Sequence, residues 1–189
     1  MGLKTVDEAL GSGFGSGLRA TAVEGFDESF DELFENVAAG VPCVPEKDAA
    51  FLRWRYGPGS PQFPVSVLAV KEGETLLGYA VLMVTSTGQD GYVLDLTRLP
   101  DRRDVAQALL RESVRFFRRS GVQIIRYRFL ESATTPRSSD LRRLGFFYRK
   151  GRRNSLLVKF ADPGLNEVAH NIANWSYTLG DGEGSFWTR

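Results

Sequence analysis

Three arginines lie close together just before a helix-forming segment. Arg98, Arg102 and Arg103 follow an alternating, β-forming run at 92–96 and precede apolar residues that recur at helical spacing up to Gly121. A strand that leads into a helix N-terminus is where an α/β protein can offer backbone N–H groups to a phosphate. Arginine side chains at the same turn can add charge-assisted hydrogen bonds. These residues therefore predict an anion site between strand and helix.

Two aspartates in the same turn give an alternative interpretation. The side chains of Asp101 and Asp104 can accept hydrogen bonds from the first N–H groups of the helix. A helix end that is capped in this way has fewer donors left for a ligand. The sequence leaves both interpretations open, an anion-binding turn and a self-capped structural helix.

The surrounding elements are predicted from hydrophobic periodicity and from the glycines and prolines that end each segment. The pattern favours an α/β (α+β) fold in which helices flank a mixed, mainly antiparallel sheet. The predicted strands are residues 18–23, 65–71, 76–84, 92–96 and 122–129, with a closing hairpin of 146–149 and 155–160. The predicted helices are 27–38, 45–56 with Pro45 in its first position, the long segment ending at Gly121, and 138–144.

Composition excludes several classes of function. The 189 residues carry a formal net charge of +1, and the single Cys43 and single His170 argue against a disulfide framework and a histidine-based metal site. No apolar stretch is long enough to span a bilayer and no secretory segment begins the chain, so we expect a cytoplasmic protein without a membrane partner. Arginines crowd residues 137–153, but they lack interleaved exposed aromatic residues, so no nucleic-acid partner is expected.

The order of elements resembles the GNAT-type N-acyltransferase fold over about residues 18–160. Three matches carry the resemblance: the strand, loop and helix ending in Ala108-Leu109-Leu110, the stretch LRRLGF at 141–146, and the hairpin stretch LGY at 77–79. The helix DAAFLRWRYGPG and the tail NWSYTLGDGEG are similar to GNAT-like proteins linked to polysaccharide biosynthesis. The expected organisation is a flexible Gly/Ser-rich segment at 1–17, a GNAT-like domain at 18–160 and a C-terminal tail at 161–189 that packs on it.

This resemblance implies an acyl-CoA donor whose pyrophosphate is wrapped by the loop before the long helix. Ala106 and the apolar Val105 fit the family's pattern, whereas Asp101 and Asp104 do not, and Asp104 stands where the family has glycine. Glycine lets the backbone approach a phosphate closely, while a carboxylate repels it. The predicted donor-binding residues are Leu96, Thr97, Arg98, Arg102, Arg103, Asp104, Val105 and Ala106.

The chemistry implied by the resemblance also meets a departure. Many members carry a tyrosine as general acid where this chain has Leu141, which can transfer no proton. Transfer to an amine can still proceed if a carboxylate takes the proton that the amine loses, directly or through water. Asp95, on the strand just before the loop, is the candidate base. The alternative is that Asp95 only hydrogen-bonds backbone at a strand end.

The second helix supplies candidate acceptor-binding residues. Arg53 and Arg55 have a charge suited to an anionic acceptor such as a nucleotide-sugar phosphate, and Trp54 and Tyr56 could form a wall of the site. The alternatives are that the arginines stabilise the helix end and that the aromatic residues belong to the core.

Two functions follow as expectations. The first is an N-acyltransferase that uses acetyl-CoA or another acyl-CoA, with no metal, on an amine acceptor such as an amino-sugar or another glycan precursor. The second is a catalytically degenerate GNAT-like domain that serves as a binding or interaction module. Both leave formation of a homodimer open.

Overall fold

The computed structural model describes residues 17–148 and 156–187. The first strand is followed by two helices, three strands, a helix, the fifth strand and two more helices, and three short 3-10 turns follow near the end. In chain order the strands are β1 (Thr21–Val23), β2 (Ser66–Glu72), β3 (Thr75–Val84), β4 (Asp90–Arg98) and β5 (Ile124–Tyr127). The α-helices are α1 (Ser29–Gly40), α2 (Ala49–Tyr56), α3 (Arg103–Arg119), α4 (Ser138–Arg143) and α5 (Pro163–His170). The 3-10 turns are Ile172–Asn174, Leu179–Asp181 and Glu183–Trp187.

The five strands form one sheet in their chain order, β1-β2-β3-β4-β5. The first four strands pair antiparallel, and β5 pairs parallel to β4 because α3 carries the chain back across the sheet. Helices flank this sheet, which confirms the predicted mixed, mainly antiparallel α/β architecture.

The sheet has a hydrophobic core on each face. On one face α1 and α2 pack against the sheet through residues such as Phe30, Leu52 and Leu94. On the other face the apolar side of α3 packs through residues such as Leu109 and Phe117. The central strands are apolar on both sides because both faces are covered.

A bulge in β4 sets the direction of the residues at its carboxyl end. Val81 pairs with Asp95 while the next residue of β3, Leu82, pairs with Val93, so Leu94 is an extra residue on β4. Bulges of this kind bend a strand and increase its twist. The parallel pairing with β5 ends at the same place, at the pair Val93 and Tyr127. Beyond this point the two strands diverge, and we call the space between them the strand opening.

Three local predictions were wrong or incomplete. The second helix begins at Ala49 rather than Pro45, because the Asp48 side chain caps it by accepting from the Phe51 N–H at 2.6 Å. Residues 146–148 and 156–160 are not in strands, and the rest of the predicted closing hairpin lies outside the described residues. Helix α5 was missed, although Asp162 at its N-cap and Pro163 after it are typical of a helix start.

Candidate functional site

The strand opening is filled by residues 176–181, which we call the inserted segment. The chain continuing from β5 pairs with this segment: the Leu179 N–H donates to the Arg128 carbonyl at 3.0 Å, and the Leu130 N–H donates to the Tyr177 carbonyl at 2.8 Å. On the other side, Gly180 packs against the carbonyl of Leu94 on β4. The protein's own chain therefore occupies the space between the diverging strands.

Arg55 of α2 anchors the segment and the turn that follows it. Its guanidinium donates to the carbonyls of Gly180 at 2.9 Å and Gly182 at 2.6 Å, and to the Ser185 hydroxyl at 3.0 Å. The same group lies over the Phe186 ring, 4.2 Å from its centroid. A buried arginine whose donors are used in this way holds the tail by several bonds at once.

Three charged side chains from three distant parts of the chain meet at the inserted segment, which contributes one of them. Lys47, in the loop between α1 and α2, donates to both carboxylate oxygens of Asp95 at 2.9 Å and to Oδ1 of Asp181 at 3.0 Å. These side chains are no more than 2% exposed. We call Lys47, Asp95 and Asp181 the charged cluster.

Hydroxyl groups complete the hydrogen bonding of Asp95. Tyr79 donates to its Oδ2 at 3.1 Å, and Thr97 donates to its Oδ1 at 3.0 Å. Asp181 accepts instead from the backbone N–H and the hydroxyl of Thr178, both through Oδ2. The two carboxylates share one ammonium, so the cluster carries one negative charge in excess when all three groups are ionised.

Burial and charge shift the proton affinities of these groups. Burial lowers the pKa of Lys47, but the attraction of Asp181 and Asp95 outweighs it and the pKa stays above its ordinary value. Burial is the largest influence on Asp181 and raises its pKa; Lys47 opposes this rise and Asp95 adds to it. The Tyr79 pKa is raised well above its ordinary value by burial and by Asp95, so its hydroxyl remains a donor.

Among the predicted donor-binding residues, Arg98 has the most unusual surroundings. Its side chain is 4% exposed and donates to the carbonyls of Leu99 at 2.9 Å and Thr135 at 3.2 Å. Its Nε–H has no hydrogen-bond partner within the part of the chain that the structure describes, and no carboxylate there forms an ion pair with it. Burial lowers the pKa of this guanidinium, with Asp101 opposing.

The other two arginines of the turn are paired. Arg102 donates to Glu72 at 2.8 Å and to Asp104 at 3.0 Å, and Arg103 donates to Asp140 at 2.6 Å. The pKa of Asp104 is lowered mainly by Arg102, with a smaller part from the Val105 N–H. Asp104 thus lies in the first turn of α3 but is bound chiefly by Arg102. Arg102 is also the N-cap residue, and its side chain makes no capping hydrogen bond.

The remaining predicted donor-binding residues divide between two faces. Leu96, Val105 and Ala106 are fully buried in the core beneath α3. Thr97 joins the charged cluster on the opposite face, where Lys47 also lies 3.3 Å from its hydroxyl.

The four predicted acceptor-binding residues do not line one surface. Tyr56 belongs to the core, and Arg55 holds the tail. Arg53 donates to the Phe26 carbonyl at 2.6 Å, whereas Trp54 is 68% exposed. Of this group, Trp54 is the side chain that presents a large apolar area to solvent.

The Arg103 and Asp140 pair gives a stability prediction that depends on pH. Burial disfavours ionisation of Asp140, but hydrogen bonds from Arg103 and Gln107 outweigh it and lower its pKa. A carboxyl whose pKa is lowered by folding contributes stability above its unfolded pKa of about 3.9, and this is lost as pH falls through the folded pKa. We expect Asp140→Asn to reduce the free energy of unfolding by about 1–3 kcal/mol at pH 7.

Urea unfolding at several pH values measures this effect, and the difference between parent and variant is expected to shrink below about pH 4. Glu112→Gln is the control, because Glu112 pairs with exposed arginines and its loss should cost less than about 1 kcal/mol. A difference for Asp140→Asn that is the same at pH 7 and pH 3 would contradict the role of its charge.

Sequence reasoning did not assign two polar side chains at the strand opening to the site. Lys47 stands in a loop whose neighbours give no sign of a buried lysine. Tyr127, at the last β4–β5 pair, has a buried hydroxyl without a hydrogen-bond partner in the described structure, and burial raises its pKa, as do Asp95 and Asp181. Only the folded arrangement shows that these groups lie near Asp95.

Other features of the described residues do not converge on this site. A cavity of about 300 Å³ contains no predicted site residue. It is lined by Leu156, Leu157, Val158, Ala169, His170, Ile172 and Trp175. In residues 17–148 and 156–187, no group of three or more histidine, cysteine, aspartate or glutamate side chains is placed to hold a metal ion. No helix in these ranges has the length and apolar character needed to cross a bilayer.

Comparison with known proteins gives solved structures of similar fold, including the two that follow. No protein-family model matches the chain, and no curated protein matches it significantly. A ribosomal-protein-alanine N-acetyltransferase from Brucella melitensis biovar Abortus 2308 is similar over 76% of this chain and 99% of its own, with 11% identity and a TM-score of 0.45. The C-terminal DUF2156 domain of a protein assigned as a lysylphosphatidylglycerol synthetase from Agrobacterium fabrum is similar over 64% of this chain and 39% of its own, with 18% identity and a TM-score of 0.43.

Proposed function

We propose that the chain is an acyl-CoA-dependent N-acyltransferase that acts on an amine. The observation that carries this proposal is Arg98, a buried guanidinium with an unused Nε–H and no carboxylate partner among the described residues. Buried charges in proteins are normally paired, so an unpaired one at the carboxyl end of β4 favours a ligand that brings negative charge or carbonyl oxygens. The pyrophosphate and amide groups of an acyl-CoA bring both.

The position of Arg98 supports the same proposal. In open α/β sheets, ligands bind in the crevice outside the carboxyl ends of strands, next to the helix N-terminus that follows. Arg98 ends β4, α3 begins at Arg103, and the strand opening separates β4 from the chain after β5. The resemblance of this strand, loop and helix to the GNAT pattern points to the same ligand.

In this proposal Arg98, Arg102 and Arg103 each bind a different part of the acyl-CoA. Arg98 donates its unused Nε–H to an oxygen of the acyl-CoA, and Arg102 and Arg103 donate to the phosphates after releasing their present carboxylate partners. The donor supplies an activated acyl group. The amine must lose a proton as it attacks, and a carboxylate of the charged cluster, with Asp95 as the sequence-derived candidate, is the base.

The proposed acceptor is a small molecule with a primary amine, with an amino-sugar or another glycan precursor as the expected class. The support is the similarity of the α2 segment and the tail to GNAT-like proteins linked to polysaccharide biosynthesis. Acetyl-CoA is the first donor to test, followed by longer acyl-CoAs.

Donor binding is expected to depend on Arg98. A ligand that binds only the native state raises its stability, so acetyl-CoA or a longer acyl-CoA should raise the Tm of the parent. Replacing Arg98 by glutamine removes a charged hydrogen bond and is expected to weaken the Kd about 10–100-fold in isothermal titration calorimetry. Arg102→Gln and Arg103→Gln are expected to weaken it less, because both arginines must first leave a carboxylate.

Arg115→Gln is the matched control, since Arg115 lies on the exposed side of α3 and pairs with Glu112. If no acyl-CoA binds the parent in calorimetry, the acyltransferase proposal fails. If an acyl-CoA binds equally well to Arg98→Gln and to the control, the donor site lies elsewhere.

A second function is favoured by the inserted segment. Residues 176–181 occupy the strand opening, and all four acceptor positions of Asp95 are used. Both features are expected of a domain that no longer catalyses a reaction and serves in binding or interaction. This proposal predicts that no acyl-CoA raises the Tm of the parent or of a variant whose tail is displaced.

A further inference from the structure

The hydrogen bonds of the charged cluster distinguish its two carboxylates. An ionised carboxylate has about four lone-pair positions, two on each oxygen. In Asp95, Oδ1 accepts from Lys47 and Thr97, and Oδ2 accepts from Lys47 and Tyr79, so all four positions are used. A further proton can reach Asp95 only if one of these donors is displaced.

Asp181 has one position left. Its Oδ2 accepts from the backbone N–H of Thr178 at 2.7 Å and from the Thr178 hydroxyl at 3.0 Å. Its Oδ1 accepts only from Lys47, at 3.0 Å, among the described residues. The single vacant acceptor position of the two carboxylates therefore lies on Asp181 Oδ1.

Lys47 links the two carboxylates. An ammonium group has three donors, and Lys47 directs them to two oxygens of Asp95 and one of Asp181. If Asp181 takes up a proton, the pair of Lys47 with Asp95 stays intact and the excess negative charge of the cluster disappears. Protonation of Asp95 instead would neutralise the carboxylate that accepts four hydrogen bonds and would weaken its ion pair with Lys47.

We propose that Asp181 is the catalytic base of the acyl transfer and that Lys47 is its positioning residue, with Asp95 holding Lys47 in place. This inference rests on the proposed acyltransferase function. The amine nitrogen forms a bond to the thioester carbonyl carbon and gives its proton to Asp181 Oδ1, directly or through one water. The carbon–sulfur bond breaks, its electron pair leaves with the CoA sulfur, and the thiolate takes a proton from solvent.

The direction of the pKa shift agrees with this assignment. The pKa of Asp181 is raised by burial and by Asp95, which moves it toward the range in which a base is effective at neutral pH. The ionisable groups facing the cluster come from α2, β3, β5 and the tail. They are Arg55, Tyr56, Tyr79, Tyr127 and Tyr177.

The pH dependence of kcat/KM tests the proposal. The parent is expected to lose activity at low pH, as Asp181 becomes protonated. Asp181→Asn is expected to lower kcat about 10²–10⁴-fold, the usual contribution of general base catalysis, and to abolish the low-pH limb. Lys47→Arg should restore most of the activity lost in Lys47→Met, because arginine keeps the charge between the carboxylates.

NMR titration of the parent gives a second readout that does not depend on a variant that folds. The Thr178 amide donates to Asp181, so its proton shift should follow the protonation of Asp181. A Thr178 shift that follows the low-pH limb supports the proposal. A Thr178 amide that does not titrate, or a low-pH limb that survives in Asp181→Asn, overturns it.

The failure of the proposed function is distinguishable from the failure of this inference. A parent that binds no acyl-CoA in calorimetry overturns both. A parent that binds the donor and transfers the acyl group, but keeps its pH profile in Asp181→Asn, overturns only the role of Asp181.

Discussion

Replacement of Lys47 by methionine is expected to reduce the free energy of unfolding by about 3–5 kcal/mol. Methionine has similar length but no charge, so the variant leaves Asp95 and Asp181 as neighbouring buried carboxylates without a cation. Removing one partner of a buried ion pair costs more than the pair contributes, because an uncompensated charge stays in the interior. Chemical denaturation at pH 7 measures this difference.

The sign of the pH dependence follows from the same cluster. Without Lys47 the carboxylates can lower their cost by binding protons, so Lys47→Met should become less destabilising as pH falls. Lys71→Met is the control, since Lys71 makes a partly exposed pair with Asp27 at 3.5 Å and its loss should cost at most about 1 kcal/mol. Equal effects for the two variants would contradict the burial of the charged cluster.

Replacement of Gly180 by alanine is the second large effect. A Cβ at this position would collide with the Tyr56 hydroxyl oxygen and lie 3.0 Å from the Leu94 carbonyl oxygen. Tyr56 is buried in the core and Leu94 belongs to the central strand, so neither can retreat easily. We expect a loss of about 1–3 kcal/mol, the range for overpacked interiors, together with detachment of the inserted segment.

Limited proteolysis and denaturation measure the two parts of this prediction. Gly184→Ala is the matched control, because a Cβ there meets no atom within 4 Å. In the acyltransferase proposal, Gly180→Ala should also lose acyl transfer, since detachment of the inserted segment carries Asp181 away from Lys47. A variant that is as stable and as protease-resistant as Gly184→Ala would contradict the tight packing at Gly180.

The part of the fold that depends on local pattern could be predicted. The β2–β3 hairpin, β4 and the amphipathic α3 have the alternation, the turn residues and the helical spacing that define each element. Helix α2 was predicted too long because Pro45 is also suited to a helix start, and only the Asp48 cap decides where the helix begins. Local sequence therefore specified the elements better than their ends.

The candidate site depends on contacts that no local pattern reveals. Asp95 and Arg98 could be named because they lie at the end of a predicted strand. Their surroundings in the fold could not be predicted in the same way. Asp95 is paired with Lys47 from a distant segment, whereas Arg98 has no carboxylate partner among the described residues. Asp95 and Asp181 bind the same lysine but differ in the one lone pair that the folded structure leaves vacant.

The inserted segment also has a consequence for the order of folding. Arg55 and Gly180 are 125 positions apart, so closing the chain between them has a large entropic cost that must be met before their contacts form. The sheet from β1 to β5 can assemble from nearer neighbours, with Lys47 already paired to Asp95. We therefore expect the segment to dock on a largely formed sheet, and its loss to change the rate of unfolding more than the rate of folding.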